Sequence, residues 1–129
     1  MTLSIAQISV IMLGGGLGAL MRFLLSNAIT NGFGNAFPYG TLTVNVLGSF
    51  VMGLLAVLLM ERMQLDPLIR LGVFVGFLGA FTTFSTFSME TMNLFEQGQI
   101  IRALLNMLLS VILSVFAVWL GVILGKQLS

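Results

Sequence analysis

The stretch Gly79-Ala80-Phe81-Thr82-Thr83-Phe84-Ser85-Thr86-Phe87-Ser88 decides how the whole chain is read. It lies within a run free of charge from Leu71 to Met89, yet hydroxyl side chains fill the gaps between its phenylalanines. That is odd for a helix facing lipid. Phe81, Phe84 and Phe87 recur every three residues, a step that turns an ideal helix by about 300°, so the rings drift around the cylinder and need partners on more than one side. Gly79 and the adjacent threonines lower helix propensity at this point, which predicts a third helix broken near mid-membrane. Carbonyls freed at such a break are tolerated only where they are buried or bound to a cation. The competing explanation is local: hydroxyls bond back to carbonyls one turn earlier and the rings fill packing gaps. So much polarity concentrated in an otherwise apolar protein favours a binding or conduction site.

Outward from this stretch, the chain reads as an all-α membrane protein of four transmembrane helices in one domain, residues 1–129. Of its 129 residues, 58% are hydrophobic and 7% charged, whereas a soluble domain carries about a quarter of its residues as charges. The ionisable side chains (Arg22, Glu61, Arg62, Asp66, Arg70, Glu90, Glu96, Arg102, Lys126) punctuate apolar runs long enough to cross a hydrocarbon layer of about 30 Å. The expected spans are 3–25, 38–60, 68–95 and 101–124. Between the first two, Ser26-Asn27 through Asn35-Ala36 has the composition of a loop, and Pro38-Tyr39-Gly40 reads as a helix entry. Glu61-Arg62 and Asp66-Pro67 mark a short polar connection, and Glu96-Gln97-Gly98-Gln99 the last turn. Glycine pairs at Gly14 and Gly18, Gly72 and Gly76, and Gly121 and Gly125 predict close helix packing. The first run lacks the basic start and small-residue cleavage site of a signal peptide, so it is expected to stay as a membrane helix.

Four spans put Arg62, Arg70 and Lys126 on one side and Arg22 and Arg102 on the other. Lysine and arginine excess in short loops orients a membrane protein. So even a balance points to insertion in both orientations, with two opposed copies pairing as an antiparallel dual-topology homodimer. A weakly biased single topology is the alternative.

Several chemistries are excluded at once. Without cysteine or histidine there are no disulfides, thiolate nucleophiles or imidazole bases. A net charge of +1 without a clustered basic face argues against nucleic acid. The membrane serines have no partner in a recognisable catalytic motif, so an enzyme is not expected. Candidate site residues remain. Asn106, Ser110 and Ser114 fall on one face of the fourth span at steps of four, a row of neutral donors suited either to an anion held weakly enough to leave or to helix packing. Asn45 is the amide of the second span, with Thr41 and Ser49 one turn to either side; unpaired in hydrocarbon it would cost several kcal/mol, so it faces protein or a pore. Arg22 either snorkels to the headgroups or shapes, with Glu90, a vestibule that attracts an anion.

The residues Gly18-x-x-x-Arg22, Gly40-Thr41-Leu42-x-x-Asn45-x-x-Gly48, and Gly76-Phe77-Leu78-Gly79 followed by Thr82-Thr83-Phe84-Ser85-Thr86-Phe87-Ser88-x-Glu90 carry a resemblance over the whole chain. The sequence resembles the bacterial fluoride channel family, called Fluc or CrcB. The resemblance implies a multi-pass protein of the bacterial inner membrane, an antiparallel homodimer with two pores that exports fluoride passively, and a structural sodium ion at the dimer centre. By matching positions, Gly79 and Thr82 would give carbonyls to the sodium. Phe84 and Phe87 would turn electropositive ring edges to fluoride, with Asn45, Thr83, Ser110, Ser114 and Asn106 completing the pore; Asn106 stands where relatives differ. Such neutral groups can replace the hydration of a small hard anion without trapping it. The membrane potential would drive fluoride out at about 2.3 kcal/mol per charge per 100 mV.

Two other functions compete. A small proton-coupled multidrug exporter also has four spans but needs an acid within a helix, and the first span has none. A non-conducting assembly subunit would use the hydroxyls only as interhelical glue.

Overall fold

A computed structural model describes residues 2–129. Among the described residues, four helices are long and apolar enough to cross a membrane: α1 (Ile5–Phe33), α2 (Tyr39–Arg62), α3 (Pro67–Glu96) and α4 (Ile100–Leu128). The shortest has 24 residues, about 36 Å at 1.5 Å per residue, which exceeds the hydrocarbon thickness. Large apolar side chains such as Met12, Leu13, Phe23, Ile101 and Val115 point outward. A bilayer can solvate such a surface where water cannot. The chain is a multi-pass helical membrane protein.

The start of α1 is capped reciprocally: the Ser4 hydroxyl accepts from the Gln7 N–H at 3.1 Å, and the Gln7 side chain accepts from the Ser4 N–H at 2.9 Å. Its end departs from the loop expected at Ser26. The helix runs on to Phe33 and stops at Gly34, whose φ of 83° ends the helical repeat. The polar residues there are on a helix because they meet a neighbour. A Cβ on Gly40 would sit 2.6 Å from Ser26 Oγ and 3.1 Å from Thr30 Oγ1, so one turn of α1 lies directly against the start of α2.

Helix α2 likewise outlasts its expected end. Its last segment, Ala56–Arg62, is π-helical and takes Glu61 and Arg62 into the helix. Pro67 stands in the first turn of α3, as its missing N–H permits, and Asp66 caps the helix by accepting from the Leu68 N–H at 2.8 Å. Leu71–Leu78 is again π-helical.

Packing is chiefly α1 against α3 and α2 against α4. Both crossings depend on glycine. A Cβ on Gly18 would run into the main chain of Phe77, and one on Gly121 into the Phe50 carbonyl and the Leu54 N–H. Backbones this close exchange dispersion contacts that larger residues would prevent, which is how helices associate without a hydrophobic driving force. The enclosed core is small, centred on Val44, Val57, Leu78 and Ala103.

Candidate functional site

The site is built around Thr82 and Thr83 of α3. Thr82 (φ −84°, ψ 154°) and Thr83 (φ −149°, ψ 122°) have extended backbone, between a helical turn at Gly79–Phe81 and the helical segment Phe84–Glu96. The Thr82 N–H still reaches the Leu78 carbonyl at 3.1 Å, but the i to i−4 ladder is interrupted at Thr83, so main-chain groups around it need other partners.

Asn45 supplies two of them. Its Oδ1 accepts from the Thr83 N–H at 2.7 Å, and its Nδ2 donates to the Thr83 carbonyl at 2.9 Å. Arg22 supplies a third by donating from Nε to the Ala80 carbonyl at 3.1 Å. The Thr83 hydroxyl caps the following helix by accepting from the Thr86 N–H at 3.3 Å. Two donors are thereby diverted from carbonyls that a continuous helix would satisfy: Thr83 N–H from Gly79, and Thr86 N–H from Thr82. Those carbonyls suit a small hard cation, which prefers oxygen ligands.

Some hydroxyls of the stretch do bond locally. Thr82 donates to the Leu78 carbonyl at 3.0 Å and Ser88 to the Phe84 carbonyl at 2.9 Å. The local explanation holds for these two.

Beside Thr82 and Thr83 lies a cavity of about 390 Å³ between α2, α3 and α4. Asn45, Thr82, Thr83, Phe84, Phe87, Ser110 and Ser114 all line it, with Ser49 and apolar residues of α2 and α4 between them. The rings of Phe84 and Phe87 stand 5.3 Å apart at 48°. They differ in support: Phe87 is only 9% exposed, whereas Phe84 is 76% exposed. A cavity with an amide and hydroxyls on a largely apolar lining, and no carboxylate in its wall, offers an anion several partial positive charges and no fixed charge to trap it.

The remaining candidates lie elsewhere. Gly79 is outside this cavity, on the exposed face of α3. Asn106 is 2% exposed and stands behind the wall, donating from Nδ2 to Thr91 Oγ1 at 2.9 Å. Thr91 joins the site without a strong mark in the sequence: its hydroxyl donates to the Phe87 carbonyl at 2.8 Å, and its spacing of four from Phe87 is the signal for that bond. Arg22 and Glu90 do not share a chamber. Arg22 borders a cavity of about 190 Å³ with Ser26, Asn27, Thr41 and Thr86, and its Nε donates to the Ala80 carbonyl. Glu90 borders another of about 210 Å³ with Thr30, Asn35, Asn93 and Gln97.

A four-span membrane bundle with a charge-free, largely apolar cavity that carries one amide and several hydroxyls has the architecture of a small channel or carrier, not of an enzyme cleft. Residues 9–122 match the family described as CrcB-like protein, Camphor Resistance (CrcB). The chain is 53% identical over 120 residues to the fluoride-specific ion channel FluC of Magnetococcus marinus, covering 93% of this chain and 98% of the relative. It is 46% identical over 123 residues to the protein of the same name from Hydrogenovibrio crunogenus, covering 95% and 93%. A third, from Methylococcus capsulatus, is 53% identical over 119 residues, or 92% of this chain; there the chain spans about half of the relative, 52%. The chain belongs to the CrcB family.

Proposed function

We propose that this chain is the protomer of a fluoride-selective channel that exports the anion passively and lowers its cytoplasmic concentration. The protein is a channel and not an enzyme. The observation that carries this reading is the convergence of Asn45, Thr83, Phe84, Phe87, Ser110 and Ser114 on one cavity, in a family whose relatives are named fluoride-specific ion channels. Fluoride loses a tightly held water shell on entry, and amide, hydroxyl and ring-edge groups replace it without the depth of a cationic site.

The functional unit in this reading is an antiparallel homodimer of opposite topologies in the bacterial inner membrane. Two features support it. Phe84 is placed on the cavity yet left 76% exposed, so its outer face is free for a second copy. The lysine and arginine balance across the bilayer is nearly even. In the same reading α3 is a helix broken in mid-membrane, and the Gly79 and Thr82 carbonyls hold a structural sodium ion at the dimer centre. The diversion of their helical donors supports that assignment. When bound, sodium would neutralise main-chain dipoles that lipid cannot solvate.

Efflux from proteoliposomes tests the function. The expected result is rapid fluoride release under a potassium-driven potential, with chloride retained. Proton-driven drug efflux without fluoride release would establish the exporter instead, and no transport of either would establish an assembly subunit.

A further inference from the structure

Asn106 is buried behind the cavity wall, and its hydrogen bonds set the direction of protons along a row of groups from α3 to α4. Thr91 spends its hydroxyl proton on the Phe87 carbonyl, at 2.8 Å, so toward Asn106 its oxygen can only accept. Asn106 accordingly turns Nδ2 to Thr91, at 2.9 Å. The other arm of the amide, Oδ1, then faces Ser110, whose hydroxyl donates to it at 3.4 Å. A serine has one hydroxyl proton. While Ser110 gives that proton to Asn106, its oxygen presents lone pairs to the cavity, and lone pairs repel an anion. The contact to Asn106 is also the longest and weakest of the row, so an arriving anion can compete for the proton.

We propose that Asn106 and Thr91 are positioning residues that hold the Ser110 proton away from the cavity and thereby weaken its grip on the permeating anion. This rests on the fluoride reading. It gives the cavity a graded donor: Ser110 binds fluoride only by giving up its bond to Asn106, so each ion arrives at an attenuated site and leaves readily. The sequence suggests a different role for Asn106, as one more donor in line with Ser110 and Ser114. Its burial and its commitment to Thr91 argue against that.

The two roles predict opposite signs. In fluoride efflux measured against fluoride concentration, Asn106→Leu frees the Ser110 proton and lowers the half-saturating concentration by about five-fold, the order of one net hydrogen bond. Thr91→Val removes the acceptor for Nδ2, lets the Asn106 amide turn and shifts the value in the same direction. Thr91→Ser keeps both bonds and restores the wild-type value. A half-saturating concentration that rises in Asn106→Leu and is unmoved in Thr91→Val makes Asn106 a direct ligand and overturns the inference. Unchanged values in both variants overturn it too, leaving a packing role. If Asn106→Leu does not fold, the near-isosteric Thr91→Val decides alone. Wild-type protein without fluoride efflux overturns the channel reading and this inference with it, an outcome distinct from efflux with the wrong sign.

Discussion

Asn45 and Thr83 exchange two hydrogen bonds, 2.7 Å from the Thr83 N–H to Oδ1 and 2.9 Å from Nδ2 to the Thr83 carbonyl. One side chain of α2 thus takes over both main-chain groups of a residue that no helix can satisfy. Asn45→Leu is expected to lower stability by about 1–3 kcal/mol, because it leaves a donor and an acceptor unpaired, and to abolish fluoride efflux. Thermal unfolding in detergent and proteoliposome efflux read the two effects. A variant with wild-type melting would show that Thr83 finds other partners.

Substitutions at Phe84 and Phe87 are expected to separate fluoride efflux from folding. Phe84→Ile alters a ring that is 76% exposed within the chain, so the stability of the chain should stay within about 0.5 kcal/mol while fluoride efflux falls at least ten-fold. Phe87→Ile removes a buried ring and should cost about 1–3 kcal/mol as well. Full efflux in Phe84→Ile would remove the ring edge from the mechanism.

Arg22 donates to the Ala80 carbonyl from 58 residues away in sequence. Arg22→Leu should destabilise by about 1–3 kcal/mol, the cost of leaving a main-chain acceptor without its charged donor. Arg22→Lys, which can reach the same oxygen with one donor, should lose less. Equal melting temperatures for Leu and Lys would mean that the carbonyl has another partner.

The crossing of α1 and α3 leaves no room at Gly18, where a Cβ would strike the Phe77 main chain. Gly18→Val should therefore cost about 1–3 kcal/mol through forced separation of the helices, visible as a lower melting temperature or loss of the folded peak in size-exclusion chromatography. Gly16, which a Cβ would leave without a neighbour within 4 Å, is the control; Gly16→Ala should melt like the wild type.

Replacing sodium with N-methyl-D-glucamine tests the cation assignment. A site occupied at about 100 times its dissociation constant stabilises by about 2.7 kcal/mol, so the melting temperature should drop on exchange. Identical melting in the two salts would rule out the proposed sodium site.

The spans were legible because hydropathy and length alone define them, and the polar stretch around Thr82 and Thr83 stood out against that background. The end of α1 was not legible. Ser26, Asn27 and Thr30 have loop composition, and only the glycine at position 40, pressed against Ser26 and Thr30, explains why they remain helical. The π-helical segments at Ala56–Arg62 and Leu71–Leu78 leave no mark in propensity. Spacing placed Asn106, Ser110 and Ser114 on one face, yet the cavity takes Ser110 and Ser114 and leaves Asn106 behind it. A helical period states which residues share a face; it does not state where along that face a neighbour such as Thr91 closes off the space. The tie from Arg22 to Ala80 was hidden for the same reason, since its acceptor is a main-chain atom and carries no sequence signature.

The dependence of Thr83 on Asn45 also bears on biosynthesis. A stretch that cannot satisfy its own main chain is exposed to lipid as soon as it leaves the insertion machinery, unless its partner is already waiting. Asn45 lies 38 residues ahead of Thr83 in the chain, so α2 enters the bilayer first and holds an open amide when α3 arrives. The order of translation therefore delivers the staple before the seam it must close.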